Sequence, residues 1–115
     1  MTGDGIGRLR GVEFFRMGMT NLLGRYPMHF HYSNTGSDSL VSDCAVHRSF
    51  YRAISIHNTF DLTVTRNTAF DIIGHAVYLE SGVEERNHIE HNLVAHVHQI
   101  EGPVIMGSGL TLARP

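Results

Sequence analysis

Three short stretches of this chain, Met28-His29-Phe30-His31, Ile54-Ser55-Ile56-His57 and Val77-Tyr78-Leu79-Glu80, repeat one pattern at intervals of 26 and 23 residues. In each, the first and third residues are apolar and the second and fourth are polar or amphipathic. A strand sends alternate side chains to opposite faces, so each stretch reads as a strand with one apolar side. Recurrence at intervals of this size marks a solenoid, whose copies stack as neighbouring rungs. Stacked in that way, His31, His57 and Glu80 form one outward column, with His29 beside it.

A second register accompanies the first. Leu9, Val41, Val64 and Ile89 recur at 32, 23 and 25 residues, as do Phe14, Val46, Ala69 and Val94, and Val12, Cys44, Asn67 and Asn92. Each rung is therefore expected to hold two short strands joined by a turn and followed by a return loop. The first rung is longer because residues 18–23 lie between its strands, and the other length changes fall in polar stretches, 33–39 and 81–87. Changes confined to loops leave a solenoid intact, since each rung contacts only its neighbours. For a fourth rung the spacing offers Val104-Ile105-Met106-Gly107 as second strand, where Gly107 ends the polar column. Helix is the competing reading, with residues 60–73 its best candidate, yet Thr59, Thr63, Thr65 and Thr68 favour strand there. The fold expected is all-β: a right-handed parallel β-helix, a single-stranded solenoid of about four rungs.

At 115 residues the chain is one domain or a piece of one. An open solenoid end would bare inward side chains such as Ile89, Val94, Val104 and Met106, each worth about 1.5–3 kcal/mol when buried. No polar capping helix is visible, so 1–115 reads as a segment of a longer β-helix, with further rungs or flanking domains at both ends and a divergent tail over 98–115. The formal charge is −2 and all nine basic residues are Arg, which is no nucleic-acid footprint. The single cysteine, Cys44, sits at an inward repeat position and has no partner for an internal disulfide. No signal peptide or membrane-spanning apolar run is present, so direct membrane insertion by this segment is not expected.

Gly24-Arg25-Tyr26-Pro27-Met28-His29-Phe30-His31 resembles a signature of the fibrocystin, fibrocystin-L and cell-migration-inducing hyaluronidase family. Two later segments match in order and approximate spacing: Ala53-Ile54-Ser55-Ile56-His57-Asn58-Thr59 and Leu79-Glu80-Ser81-Gly82-Val83-Glu84-Glu85-Arg86-Asn87. The likeness covers roughly residues 9–97. It implies a right-handed parallel β-helix within a large extracellular or membrane-anchored protein. Some members of the family bind and depolymerise hyaluronan, whereas the fibrocystins are receptor-like. Ser81 departs from the pattern, standing where relatives often carry an acid, and residues 100–115 replace an expected aromatic–Asn-Pro strand.

Rungs of a parallel sheet lie about 4.8 Å apart, so side chains on successive rungs can converge on one ion. His29, His31, His57 and Glu80 would offer three imidazoles and a carboxylate, a donor set suited to Zn²⁺ or another first-row divalent ion rather than Ca²⁺. If unligated, Glu80 is the candidate general acid or base, with His57 as its catalytic neighbour. Arg25 and Tyr26 stand at the rim as candidates to pair with or stack on an acidic polysaccharide such as hyaluronan. The bland alternative is a solvated ladder of polar residues in a non-enzymatic structural or receptor module. A lone carboxylate favours that alternative, since glycoside hydrolysis generally needs two.

Other residues carry weaker signals. Ser55 lacks the elbow motif and orienting acid of a nucleophile. A lyase-type Arg base, Arg25 or Arg52, would lack acidic calcium ligands. Arg48 and Asp71 are expected to form a turn salt bridge, and Asn67 with Asn92 a short inward Asn ladder. His88, His91, His96 and His98 straddle loop and strand and read mostly as surface. Phe15, Phe70 and Leu93 point outward.

Overall fold

Every turn of the chain lays down three short strands, and each strand pairs in parallel with its counterpart on the next turn. A computed structural model describes the backbone of residues 1–106 and 109–111 and the side chains of residues 1–103. The first turn holds β1 (Thr2–Gly3), β2 (Arg8–Arg10) and β3 (Glu13–Phe15). The second holds β4 (Met28–Ser33), β5 (Leu40–Ser42) and β6 (Ala45–Ser49). The third holds β7 (Ile54–His57), β8 (Thr63–Thr65) and β9 (Thr68–Ile73), and the fourth β10 (Val77–Leu79), β11 (His88–Glu90) and β12 (Leu93–His98). The result is a parallel β-helix with three faces: β1-β4-β7-β10, β2-β5-β8-β11 and β3-β6-β9-β12.

The repeat spacing fixes the register. Met28, Ile54 and Val77 are Cα partners on the first face. Leu9, Val41, Val64 and Ile89 align on the second, and Phe14, Val46, Ala69 and Val94 on the third. Their inward side chains make the core: Val41, Val46, Ile56, Leu62, Val64 and Ile72 are all essentially sealed from solvent. Such burial is the main favourable term holding the turns together.

The sequence pointed to two strands per rung; there are three. What reads as one run bends at a corner where Gly11, Asp43, Arg66 and His91 take left-handed backbone angles, with φ of 65°, 55°, 55° and 55°. A left-handed non-glycine residue costs about 1–2 kcal/mol. At the last two corners the next residue, Asn67 or Asn92, offsets part of that by turning inward. Asn67 accepts from the Cys44 amide through Oδ1 at 3.0 Å and donates through Nδ2 to the Val41 carbonyl at 3.1 Å. Asn92 repeats both bonds one turn later, to the Asn67 amide at 2.9 Å and the Val64 carbonyl at 2.9 Å. This is the Asn ladder the spacing predicts, and Cys44 is buried at its head.

The fourth strand of the first face comes from the chain's start, not from Val104–Gly107. Thr2 pairs with His31. Val104–Met106 instead forms β13 and pairs antiparallel with β14 (Gly109–Thr111), while Gly107 lies outside the described residues. Loop closure is cheap over so short a separation. One long-range bond crosses the whole stack: Asn21 Nδ2, between β3 and β4, donates to the Glu101 carbonyl beyond β12 at 2.5 Å. Among the described residues no helix is long and apolar enough to cross a membrane.

Candidate functional site

Three consecutive turns meet on the first face around the carboxylate of Glu80. The Glu80 amide donates to the Ile56 carbonyl at 2.9 Å, which extends the ladder one residue past β10. That places Glu80 next to His57, as His57 is next to His31. The carboxylate does not lean over His57 toward His31. It folds back over β7, where Ser55 Oγ donates to Oε2 at 2.7 Å. In that pose Oε2 lies 3.6 Å from His29 Nε2 and Oε1 lies 3.8 Å from His57 Nδ1.

Both imidazole nitrogens are buried and neither has a hydrogen-bond partner. His29 Nδ1 lies 3.2 Å from the Gly24 carbonyl, an acceptor that requires the proton on Nδ1 and leaves the Nε2 lone pair free. Burial holds the His29 pKa below its ordinary value, against the opposing pull of the Glu80 charge. A neutral ring with a fixed tautomer and a free lone pair is the form in which histidine ligates metals.

His29, His57 and Glu80 form one cluster whose ligand atoms all lie within 4.8 Å of one another. His31 stands outside it. Its exposed ring packs at 5.1 Å from His29 and 4.8 Å from His57, centroid to centroid, and forms the outer edge of the cluster. Arg25 is exposed and lines a shallow groove with His29 and His31.

Tyr26, expected at the rim, is buried beneath the site. Its hydroxyl approaches Glu80 Oε1 at 3.5 Å and accepts from Arg52 Nη1 at 2.9 Å, and burial raises its pKa. The physical reason is Arg52, a guanidinium only 8% exposed. Arg52 lies 4.0 Å from the Tyr78 ring centroid and 5.1 Å from that of Tyr51, and drawing the phenols in around it satisfies a charge that could not be buried alone. Sequence reasoning gave Arg52 no such part. The signal available was three tyrosines, Tyr26, Tyr51 and Tyr78, recurring near the repeat interval.

Ser55 is engaged by the Glu80 carboxylate rather than by an imidazole, so no Ser–His pair forms. Arg48 and Asp71 do not pair: Arg48 lies over the Phe15 ring at 5.9 Å and Asp71 lies 2.7 Å from His98 Nε2. Each is taken up by a partner on the turn at its far side, Arg48 by Phe15 on the first turn and Asp71 by His98 on the fourth. His88, His91, His96 and His98 are exposed, as are Phe15, Phe70 and Leu93.

A family model described as CEMIP beta-helix matches residues 1–108. The chain is 50% identical over 100 residues to a G8 domain-containing protein of Dictyostelium discoideum, covering 87% of this chain and 9% of that protein. It is 47% identical over 105 residues to protein rliB of the same organism, covering 91% of this chain and 9% of rliB. It is 43% identical over 94 residues to fibrocystin-L of Homo sapiens, covering 81% of this chain and 2% of that protein. The chain thus spans less than a tenth of the length of these relatives. No solved structure matches it.

Proposed function

The chain belongs to the CEMIP β-helix family, and on that premise we propose that it is the β-helix module of an extracellular, carbohydrate-interacting protein. His29, His57 and Glu80 hold a divalent metal ion, zinc rather than calcium, and Arg25 on the adjoining groove receives an acidic polysaccharide such as hyaluronan.

One observation carries this reading: two buried, unpartnered imidazole nitrogens face one carboxylate at 3.6 and 3.8 Å. These separations are too long for hydrogen bonds. Two ligands around a tetrahedral ion with bonds of about 2.0–2.1 Å sit about 3.4 Å apart, so small side-chain shifts close the set. The donors are nitrogen-rich, which suits a first-row divalent ion and not an all-oxygen calcium shell. A bound ion would supply Lewis acidity and a water of lowered pKa. Ser55 orients Glu80, Gly24 fixes the His29 tautomer, and the Tyr26–Arg52 pair backs the carboxylate from within. Glu80 and His57 are the groups placed to move a proton if the module hydrolyses the polysaccharide, and Glu80 is the single carboxylate of the cluster.

Metal analysis of the full-length protein tests the ion. His57→Ala is expected to lose one equivalent of zinc, and Arg25→Ala to weaken retention on immobilised hyaluronan. Retained zinc in His57→Ala rejects the site. Hyaluronan chain length after incubation with Glu80→Ala tests catalysis, and undiminished cleavage rejects a catalytic Glu80.

A second reading, a non-enzymatic structural or receptor module, is favoured by the Ser55–Glu80 bond and the Arg52–tyrosine network, which hold the carboxylate without an ion. It expects a metal-free protein whose melting is indifferent to chelators.

A further inference from the structure

We propose that Asp71, His96 and His98 form a second divalent-metal site, on the third face of the coil and independent of the cluster on the first. His96 and His98 are alternate residues of β12, a His-x-His pair like His29 and His31 on β4. Phe70 pairs with Ala95 and Ile72 with Val97, which sets Asp71 of β9 beside His96 on the neighbouring turn. The ligand atoms of the three residues all lie within 4.8 Å of one another. His98 Nε2 is 2.7 Å from Asp71 Oδ1, and the two imidazoles meet edge to face at 4.5 Å. Phe70 stacks on His96 at 5.6 Å with 19° between planes, which holds that ring over the group.

The backbone supplies an independent reason. Asp71 and His96 have left-handed φ of 59° and 60° inside regular strands. Both strands make this bend in step, with the register kept on either side, so Asp71 and His96 leave the alternation of their strands together. The first two turns have Arg16 and Arg48 at the same position, with φ of 53° and 50°. One strained column therefore carries Arg, Arg, Asp and His in order. The two arginines, Phe50 and Glu101 line a groove of about 520 Å³ together with Asp71 and His98, so two of the three donors border a space open to a further ligand. Two imidazoles and one carboxylate are the donors of a three-ligand site open to exogenous ligand, for Zn²⁺, Fe²⁺ or Co²⁺.

The test is zinc and cobalt binding by tag-free full-length protein, wild type against His96→Gln, His98→Gln, Asp71→Asn and His57→Gln. Each of the two third-face histidine variants is expected to bind one zinc fewer than wild type, and Asp71→Asn to bind cobalt at least about tenfold more weakly at that site. All three residues are at least partly exposed, so melting in EDTA should match wild type, which separates lost ligation from lost fold. Wild-type zinc count and cobalt spectrum in His96→Gln and His98→Gln overturn the site. If those variants lose a zinc while His57→Gln loses none, this site stands and the reading of the first cluster falls.

Discussion

Gly36 occupies a place that no other residue can take. A Cβ there would lie 1.7 Å from the Phe60 carbonyl oxygen, a backbone atom of the next turn that cannot swing aside. Gly36→Ala is therefore expected to destabilise the fold at the upper end of the about 1–3 kcal/mol that overpacking costs, read as a shift in the urea midpoint. Nothing in the sequence marks this glycine above the other eleven, because the clash is with a residue 24 positions away. Tyr26 illustrates the same limit. Its place in the pattern before β4 was legible, but its burial depends on Arg52, and pairing across turns has no local signature. His29, His57 and Glu80 were legible together because strand alternation and repeat interval suffice to stack them. That Glu80 folds toward His29 rather than His31 depends on Ser55, which period alone does not reveal.

Among the elements, the corner between the second and third faces rests on its amide ladder. Asn67→Ala orphans the Cys44 amide and the Val41 carbonyl, both inside the stack. The expected loss is about 1–3 kcal/mol per orphaned group, and Asn67→Asp should cost more, since it keeps the Cys44 bond but sets a buried carboxylate against the Val41 carbonyl oxygen. Chemical denaturation of the two variants checks the order. The loop after β10 is held differently, by Glu84, whose carboxylate accepts from the amides of Asn58, Ser81 and Gly82 at 2.9, 3.0 and 2.8 Å. Burial pushes its pKa up, but these amides outweigh burial and hold the carboxyl below the ordinary value of 4.5. A pKa lowered by folding stabilises the fold above the unfolded value, and this contribution fades as pH falls through 4.5. Glu84→Gln should therefore melt lower than wild type at pH 7, with the gap closing toward pH 3. Melting curves across that range decide it, and a gap independent of pH would assign the effect to packing. The registers were readable since length changes stay in loops. The third strand per turn was not: of the four corner residues only Gly11 advertises a left-handed angle, and Asp43, Arg66 and His91 do not.

For the molecule as a whole, position in the stack decides what a core residue is worth. Val64 on the third turn is 0% exposed, whereas Val94 on the fourth is 45% exposed. Val64→Ala should cost about 2 kcal/mol or more and Val94→Ala well under half of that. Thermal melts of both variants in the full-length protein check the ratio, and equal losses would mean that another layer covers β12 there. The coiled architecture was legible from the repeat, but the reversal of β13 onto β14 was not, because a local hairpin and a further rung draw on the same alternating apolar residues. The bond from Asn21 to Glu101 joins positions 80 residues apart. Stacks built by adding like units ordinarily fray from the outermost one inward, since it has a single neighbour. Here the loop before β4 and the segment after β12 are tied to each other directly, so a bond worth about 1 kcal/mol lets the loosening of either be felt by the other.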